Sequence, residues 1–248
     1  MKKISPTFRK GFTLVELLVV MAIIGILMTM SAGVLRDAGK GRGVDSAVEM
    51  LQSMVEEARA TAQGNDTYTR LVIASDPKDK GEDSRHLRFM TVQIYEPKNN
   101  KGSYDGTEVA QAGVWKSTSA GQMLPPGVFF SPHYSTPLEW ADGANGSMIG
   151  EDNVRLSNKG YTRVYYIEFD EKGRFVAHGG DPLNPTRPQR LVLIQGRIGD
   201  GRKAHDGIIP RELDSRKRPV GAKGIVVWPS GDVSLLRTQE QVFEDFKQ

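Results

Sequence analysis

The sequence predicts an α+β protein, in which one long N-terminal helix, half membrane-spanning and half amphipathic, packs on a mainly antiparallel β domain. Three observations carry this. An apolar run extends from Phe12 to Leu35, apolar residues then recur at helical spacing from Val44 to Ala62, and beyond Gly64 the pattern changes to short strands between turns. The chain divides accordingly into a leader over 1–11, a transmembrane helix over 12–35, its amphipathic continuation over 36–63 and a globular β-rich domain over 64–248.

The first element is long enough to span a bilayer. Its 24 residues from Phe12 to Leu35 make a helix of about 36 Å, against a hydrocarbon core of about 30 Å. Its single charge is Glu16. A carboxylate in such a segment costs a few kcal/mol unless it is neutralised, paired or at the interface. The bases before it, Lys2, Lys3, Arg9 and Lys10, hold the leader on the cytoplasmic side and put the body outside. They also account for the basic balance: 33 bases less those four leaves 29 against 30 acids, so the remainder is near neutral and net charge is no argument for nucleic acid.

A secretory signal of the Sec type places its apolar region before the cleavage site. Here the basic leader ends at Gly11 and the apolar run follows. The hexapeptide Gly11-Phe12-Thr13-Leu14-Val15-Glu16 resembles the type IV prepilin processing motif, with its Gly, its aromatic residue and a Glu five positions into the mature chain. The resemblance implies cleavage between Gly11 and Phe12 by a prepilin peptidase, and N-methylation of Phe12. It implies that Glu16 pairs with the terminal ammonium of a neighbouring subunit, an attraction strong in low dielectric. It also implies a single-pass protein of the inner, cytoplasmic membrane, with a periplasmic body, that passes into a filament of pilin or pseudopilin subunits. A plain signal anchor, with Glu16 at the headgroups, is the simpler alternative.

The second helical stretch starts after a weak region, because Gly39, Gly41 and Gly43 each cost about 1 kcal/mol relative to Ala. Val44, Ala47, Val48, Leu51, Met54, Val55, Ala58 and Ala62 then form one stripe, with Glu49, Glu56, Glu57 and Arg59 left for the other face. We read the two stretches as one continuous helix; a loop at the Gly cluster is the alternative.

In the body, strands are expected over 68–74, 87–95, 113–116, 127–131, 161–170, 174–177, 190–198, 225–228 and 232–237. The clearest hairpins turn at Glu171 to Gly173 and at Ser230-Gly231, where glycine suits a positive φ. Trp228 before Pro229 closes a strand. The stretches 123–153 and 179–190 are long and Pro/Gly-rich, and read as ordered insertions or surface loops. A helix over 239–246 with Thr238 as N-cap closes the chain. Glu57-Ala58-Arg59 with Ala62, Phe169 with Gly173-Arg174, and Pro229 with Gly231 resemble the EAR-x-x-A, F-x-x-x-G-R and P-x-G motifs of the FimT and H-type minor pseudopilin group. This resemblance implies a minor structural subunit of a type IV pilus or type II secretion pseudopilus, with prepilin peptidase, other pilin-like subunits and the inner membrane as partners.

Catalysis is not expected. There is no cysteine, and His86, His133, His178 and His205 lack ligand spacing and read as surface or turn residues. The acidic loop with Asp76, Asp79, Glu82 and Asp83 lacks the order of an EF-hand, so neither a metal nor another cofactor is expected. Two alternatives remain: a membrane-anchored binding module that takes a secreted substrate, and a subunit that captures DNA. The second would use the basic stretch between Leu183 and Lys223, above all Arg211, Arg216, Lys217 and Arg218. No aromatic residue is interleaved there for stacking on bases.

Overall fold

The computed structural model describes residues 14–76, 84–97, 113–135, 149–157, 160–176, 188–199 and 207–243. The chain forms two compact units, Met1–Arg42 and Gly43–Gln248. Helix α1 spans Leu14–Asn65, so the Gly39 to Gly43 run is helical. The rest of the body consists of β1 (Thr69–Ala74), β2 (Phe89–Pro97), β3 (Gly113–Ser117), β4 (Gln122–Met123), β5 (Val128–Phe130), β6 (Gly150–Ser157), β7 (Gly160–Phe169), β8 (Phe175–Val176), β9 (Gln189–Ile198), β10 (Ile208–Pro210), β11 (Lys223–Val227), β12 (Val233–Leu236) and α2 (Gln239–Phe243).

The strands pair antiparallel throughout in two sheets, the predicted fold class. One runs β3-β2-β1-β7-β6, with β4 also on β2 and β8 on β7; the other runs β10-β9-β11-β12, with β5 also on β9. Each predicted stripe residue of α1 is buried: Val44, Ala47, Val48, Leu51, Met54, Val55, Ala58 and Ala62 join one core with Leu71, Ile73, Ile167 and Phe169 of the first sheet and Leu191, Leu193, Ile225 and Val227 of the second. The helix therefore supplies the apolar surface that both sheets need to cover their inner faces. At Thr69 the β1 hydroxyl donates to the Ala58 carbonyl at 2.7 Å, satisfying a buried donor at this contact.

Strand β1 is buried along its whole length because both its faces are covered. Leu71 and Ile73 face the main core, while Val72 belongs to a second small cluster with Val154, Val164 and Tyr166. Period 2 puts alternate residues on opposite faces, so a strand buried at every position marks a sheet with two covered sides.

Three strands are not legible as such. Strand β6 lies across the end of the stretch expected to be a loop, with the sequence GEDNVRLS. It is an edge strand recruited by β7, with a register shift between Val154 and Ser157, and only Val154 is buried among the side chains described. Strand β10 ends at Pro210, as an edge allows. Strand β4 is two residues long. The stretch 179–190 lies mostly outside the described residues. At the C-terminus, Thr238 caps α2 as expected. Its Oγ1 accepts from the Gln241 N–H at 3.3 Å while Gln241 Oε1 accepts from the Thr238 N–H at 3.2 Å, a reciprocal box. Residues 244–246 of the expected helix lie outside the described residues.

Candidate functional site

The N-terminal part of α1 presents an apolar surface that is exposed among the described residues. Leu14, Val15, Leu17, Leu18, Val19, Val20, Met21, Ile23 and Ile24 are all exposed, from 46% at Val20 to 79% at Leu14. They lie on every side of the helix, so this is no amphipathic surface helix; a helix apolar all round is built to be enclosed by lipid or by other chains. Glu16 stands in the first turn, where the partial positive charge of the helix end favours a carboxylate. Gly11 and Phe12 lie outside the described residues. Among the described residues no helix is long and apolar enough to cross a membrane. The expected span from Phe12 to Leu35 has described side chains only from Leu14 to Ile24.

The three short motifs of the body come together in one place. Arg59 of α1 donates from Nη1 to Asp232 Oδ1 at 2.7 Å, and Gln63 donates to the Lys172 carbonyl at 3.0 Å. Asp170 organises the β7–β8 turn by accepting from the Arg174 N–H at 2.8 Å and from Arg174 Nε at 2.7 Å. At Gly173, with φ +72°, a Cβ would lie 2.8 Å from Arg59 Cγ. At Gly231, with φ +84°, a Cβ would lie 2.0 Å from the Gly173 carbonyl oxygen. The two turns are thus pressed against each other and against the end of α1, which explains why each needs glycine. The Phe175 N–H donates to the Pro229 carbonyl at 3.2 Å, tying the two sheets together at the same point.

The basic patch is only partly available. Asp214 accepts from the N–H groups of Arg216 and Arg218 at 2.8 Å each, from Arg218 Nε at 2.8 Å and from Gln239 Nε2 at 3.0 Å. The Arg218 backbone bond leads in holding its carboxyl below the ordinary value, helped by the Arg218 side chain. Arg218 also stacks on the Phe243 ring, 5.3 Å from its centroid. It is therefore spent on joining the turn to α2. Arg211, Arg216 and Lys217 are exposed. The sequence sign of this turn is Asp214 itself, because an Asp carboxylate can accept from the backbone N–H two residues on, here that of Arg216.

Sequence reasoning missed a buried guanidinium on the outer face of the first sheet. Arg70 is 3% exposed and donates from Nε to Gln93 Oε1 and from Nη1 to Asp152 Oδ2, both at 2.9 Å. It lies over the Trp115 ring at 4.3 Å and over Tyr166 at 5.0 Å. Burial lowers the Arg70 pKa against the opposing pull of Asp152, and burial pushes the Tyr166 phenol up to about 12. The group is internally satisfied and reads as a structural centre. Its members lie on β1, β2, β3, β6 and β7, so no local spacing marks them.

Of the histidines, His133 and His86 both lie in turns, His133 exposed and His86 buried at 1% exposure. His178 and His205 lie outside the described residues. Among the described residues no three His, Asp or Glu side chains cluster so as to hold a metal ion.

Residues 7–32 match the family described as Prokaryotic N-terminal methylation motif. No curated protein matches the chain. Among solved structures, two crystal forms of the type IV minor pilin FimU of Pseudomonas aeruginosa (strain PAO1) align at 15% and 14% identity. They cover 77% of this chain and 86% and 90% of FimU, with a TM-score of 0.28 in each case. At those scores the superposition carries no argument about this chain, whose fold stands on its own strand pairing.

Proposed function

We propose that this chain, which carries the N-terminal methylation motif of type IV pilin-like proteins on an α+β body, is a minor structural subunit of a type IV pilus or type II secretion pseudopilus. The observation that carries the reading is the matched segment 7–32, together with the all-round exposure of the apolar residues from Leu14 to Ile24. Such a helix is stable in water only when enclosed. A bilayer encloses it before assembly and neighbouring helices afterwards.

In this reading a prepilin peptidase cuts between Gly11 and Phe12, and Phe12 is N-methylated. The protein is held in the inner membrane as a single span with its body in the periplasm. Glu16 then pairs with the terminal ammonium of a neighbouring subunit. In low dielectric an unpaired carboxylate is costly and a paired one is not, so the pair sets the register of packing. Mass spectrometry of the mature N-terminus checks the first step: a chain that still begins at Met1 in cells with an active prepilin peptidase overturns it. Glu16→Ala should leave membrane insertion intact and block incorporation into the filament; normal incorporation would remove the pairing role.

The DNA-capturing alternative has less to draw on, because Arg218 is held by Asp214 and Phe243. It would require salt-dependent DNA binding that is lost when Arg211, Arg216 and Lys217 are replaced by Ala.

A further inference from the structure

We propose that the hairpin 212–220, with the bases beside it, docks the body on the anionic phospholipid surface of the membrane that holds the N-terminal helix. This rests on the proposed single span over 12–35 and adds a second membrane contact, made by the body before assembly.

The hairpin stands at the end of the body where the chain enters it, at Gly43. Lys223, just past the hairpin, donates from Nζ to Asp45. A Cβ at Gly43 would lie 3.8 Å from Val128 Cγ2, and the neighbouring Gly127 carbonyl accepts from the Gly196 N–H at 2.9 Å. The Arg211 N–H donates to the Gln195 carbonyl at 3.0 Å, so the chain leading into the hairpin lies at the same end. The turn that holds Lys172 sits instead by Gln63, about 30 Å farther along α1.

This end is basic, although the chain without its leader is near neutral. Arg197, Arg211, Arg216 and Lys217 are exposed and, among the described residues, in no ion pair; Arg218 and Lys223 are held by Asp214 and Asp45. Arg197 pairs with Ile209 across β9 and β10, and Arg211 follows Ile209 by two positions, so both arginines belong to one sheet face. Against these bases the hairpin sets one exposed acid, Glu212, while Arg237 and Glu240 beside α2 offset each other. The turn is a fixed projection. Asp214 ties its backbone, and Lys217 is held at φ +59°, which a non-glycine residue adopts only where its surroundings impose it.

The hairpin is also apolar where it need not be. Leu213 is 49% and Val220 37% exposed, and among the described residues of the body only Val114 is another large hydrophobic side chain so exposed. Charged headgroups above a hydrocarbon layer accept bases and aliphatic side chains together. A nucleic-acid duplex offers phosphates without that layer, and no aromatic residue stands among the bases to stack on nucleotides.

The covalent link makes a small patch sufficient. Residues 36–42 join the proposed span to the body, so Leu35 and Gly43 are at most about 28 Å apart even when fully extended. Docking is therefore intramolecular, at an effective concentration in the millimolar range.

Because the chain has no cysteine, single introduced thiols report position. The full-length chain with Ser215→Cys, carrying a fluorophore, is reconstituted into vesicles of equal parts phosphatidylcholine and phosphatidylglycerol. A spin label on the headgroups should quench it there. It should not do so in phosphatidylcholine alone, nor at about 1 M salt, where the screening length is about 3 Å. Arg216→Gln and Lys217→Gln should each weaken docking about fivefold. The same fluorophore at Glu171→Cys, in the Lys172 turn, should stay unquenched. Equal quenching in neutral vesicles or at Glu171→Cys, or none lost on the two Gln substitutions, would overturn the proposal. So would a Ser215→Cys signal that answers to an added DNA duplex and not to anionic vesicles. Val20→Cys, read with a spin label on the acyl chains, reports the span itself. If it is quenched and Ser215→Cys is not, the docking proposal alone fails; if neither is quenched, the span reading fails with it.

Discussion

Arg59 and Asp232, 173 positions apart in the chain, are joined side chain to side chain at 2.7 Å. The pair sits where the end of α1 meets the turns of two hairpins, one from each sheet. Ser230 Oγ donates to the same carboxylate at 2.8 Å.

The pair itself contributes little, because its side chains are 32% and 64% exposed. Arg59→Ala should therefore cost no more than about 1 kcal/mol. Gly231→Ala should cost more than about 2 kcal/mol, since it needs both a positive φ and the space now filled by the Gly173 carbonyl. Urea unfolding followed by circular dichroism gives both values. A larger loss for Arg59→Ala would mean that the charge, and not the backbone approach, holds the junction.

Leu51 is fully buried where α1 joins the core. Leu51→Ala should destabilise the body by about 2–5 kcal/mol. Glu56→Ala, on the exposed face of the same helix, should stay within about 0.5 kcal/mol. Similar losses from the two would place the wrong face of α1 inward.

Removal of the buried guanidinium should be severe. Arg70→Ala leaves Gln93, Asp152 and two ring faces without their partner, and should cost about 3 kcal/mol. Arg70→Met, which keeps the stem and ring contacts, should cost less. The two are compared by thermal unfolding, and equal losses would show that the charge, not the packing, dominates.

Acid should loosen both carboxylate-centred turns. Asp232 is held below its ordinary value of 3.8 first by Ser230 and then by Arg59, and Asp214 first by the Arg218 N–H. A carboxylate with a lowered folded pKa stabilises at pH above its unfolded value, and that stability is lost as pH falls through the lowered one. Stability should fall below about pH 4. Asp214→Asn and Asp232→Asn together should flatten that limb of the stability–pH curve without changing its neutral part in slope.

Local patterning was readable wherever one chemical period ran long enough. The stripe from Val44 to Ala62 was fixed by helical spacing, because a residue on one face of a helix is buried or not according to its position in the turn. The turns at Gly173 and Gly231 were readable from composition, because a positive φ admits few residues. Strand β6 was not, since an edge strand owes its conformation to hydrogen bonds from β7 and not to its own side chains.

By itself, then, the sequence determined the apolar N-terminus with Glu16, the helix face that turns inward and the tight hairpins, all of which are local and periodic. Only the tertiary structure decided that Arg59 would meet Asp232, that Arg70 would be enclosed by residues from four other strands, and that Arg218 would be spent on Asp214. Those contacts join residues far apart in the chain, where no spacing rule applies. Their partners are set by how two sheets pack on one helix.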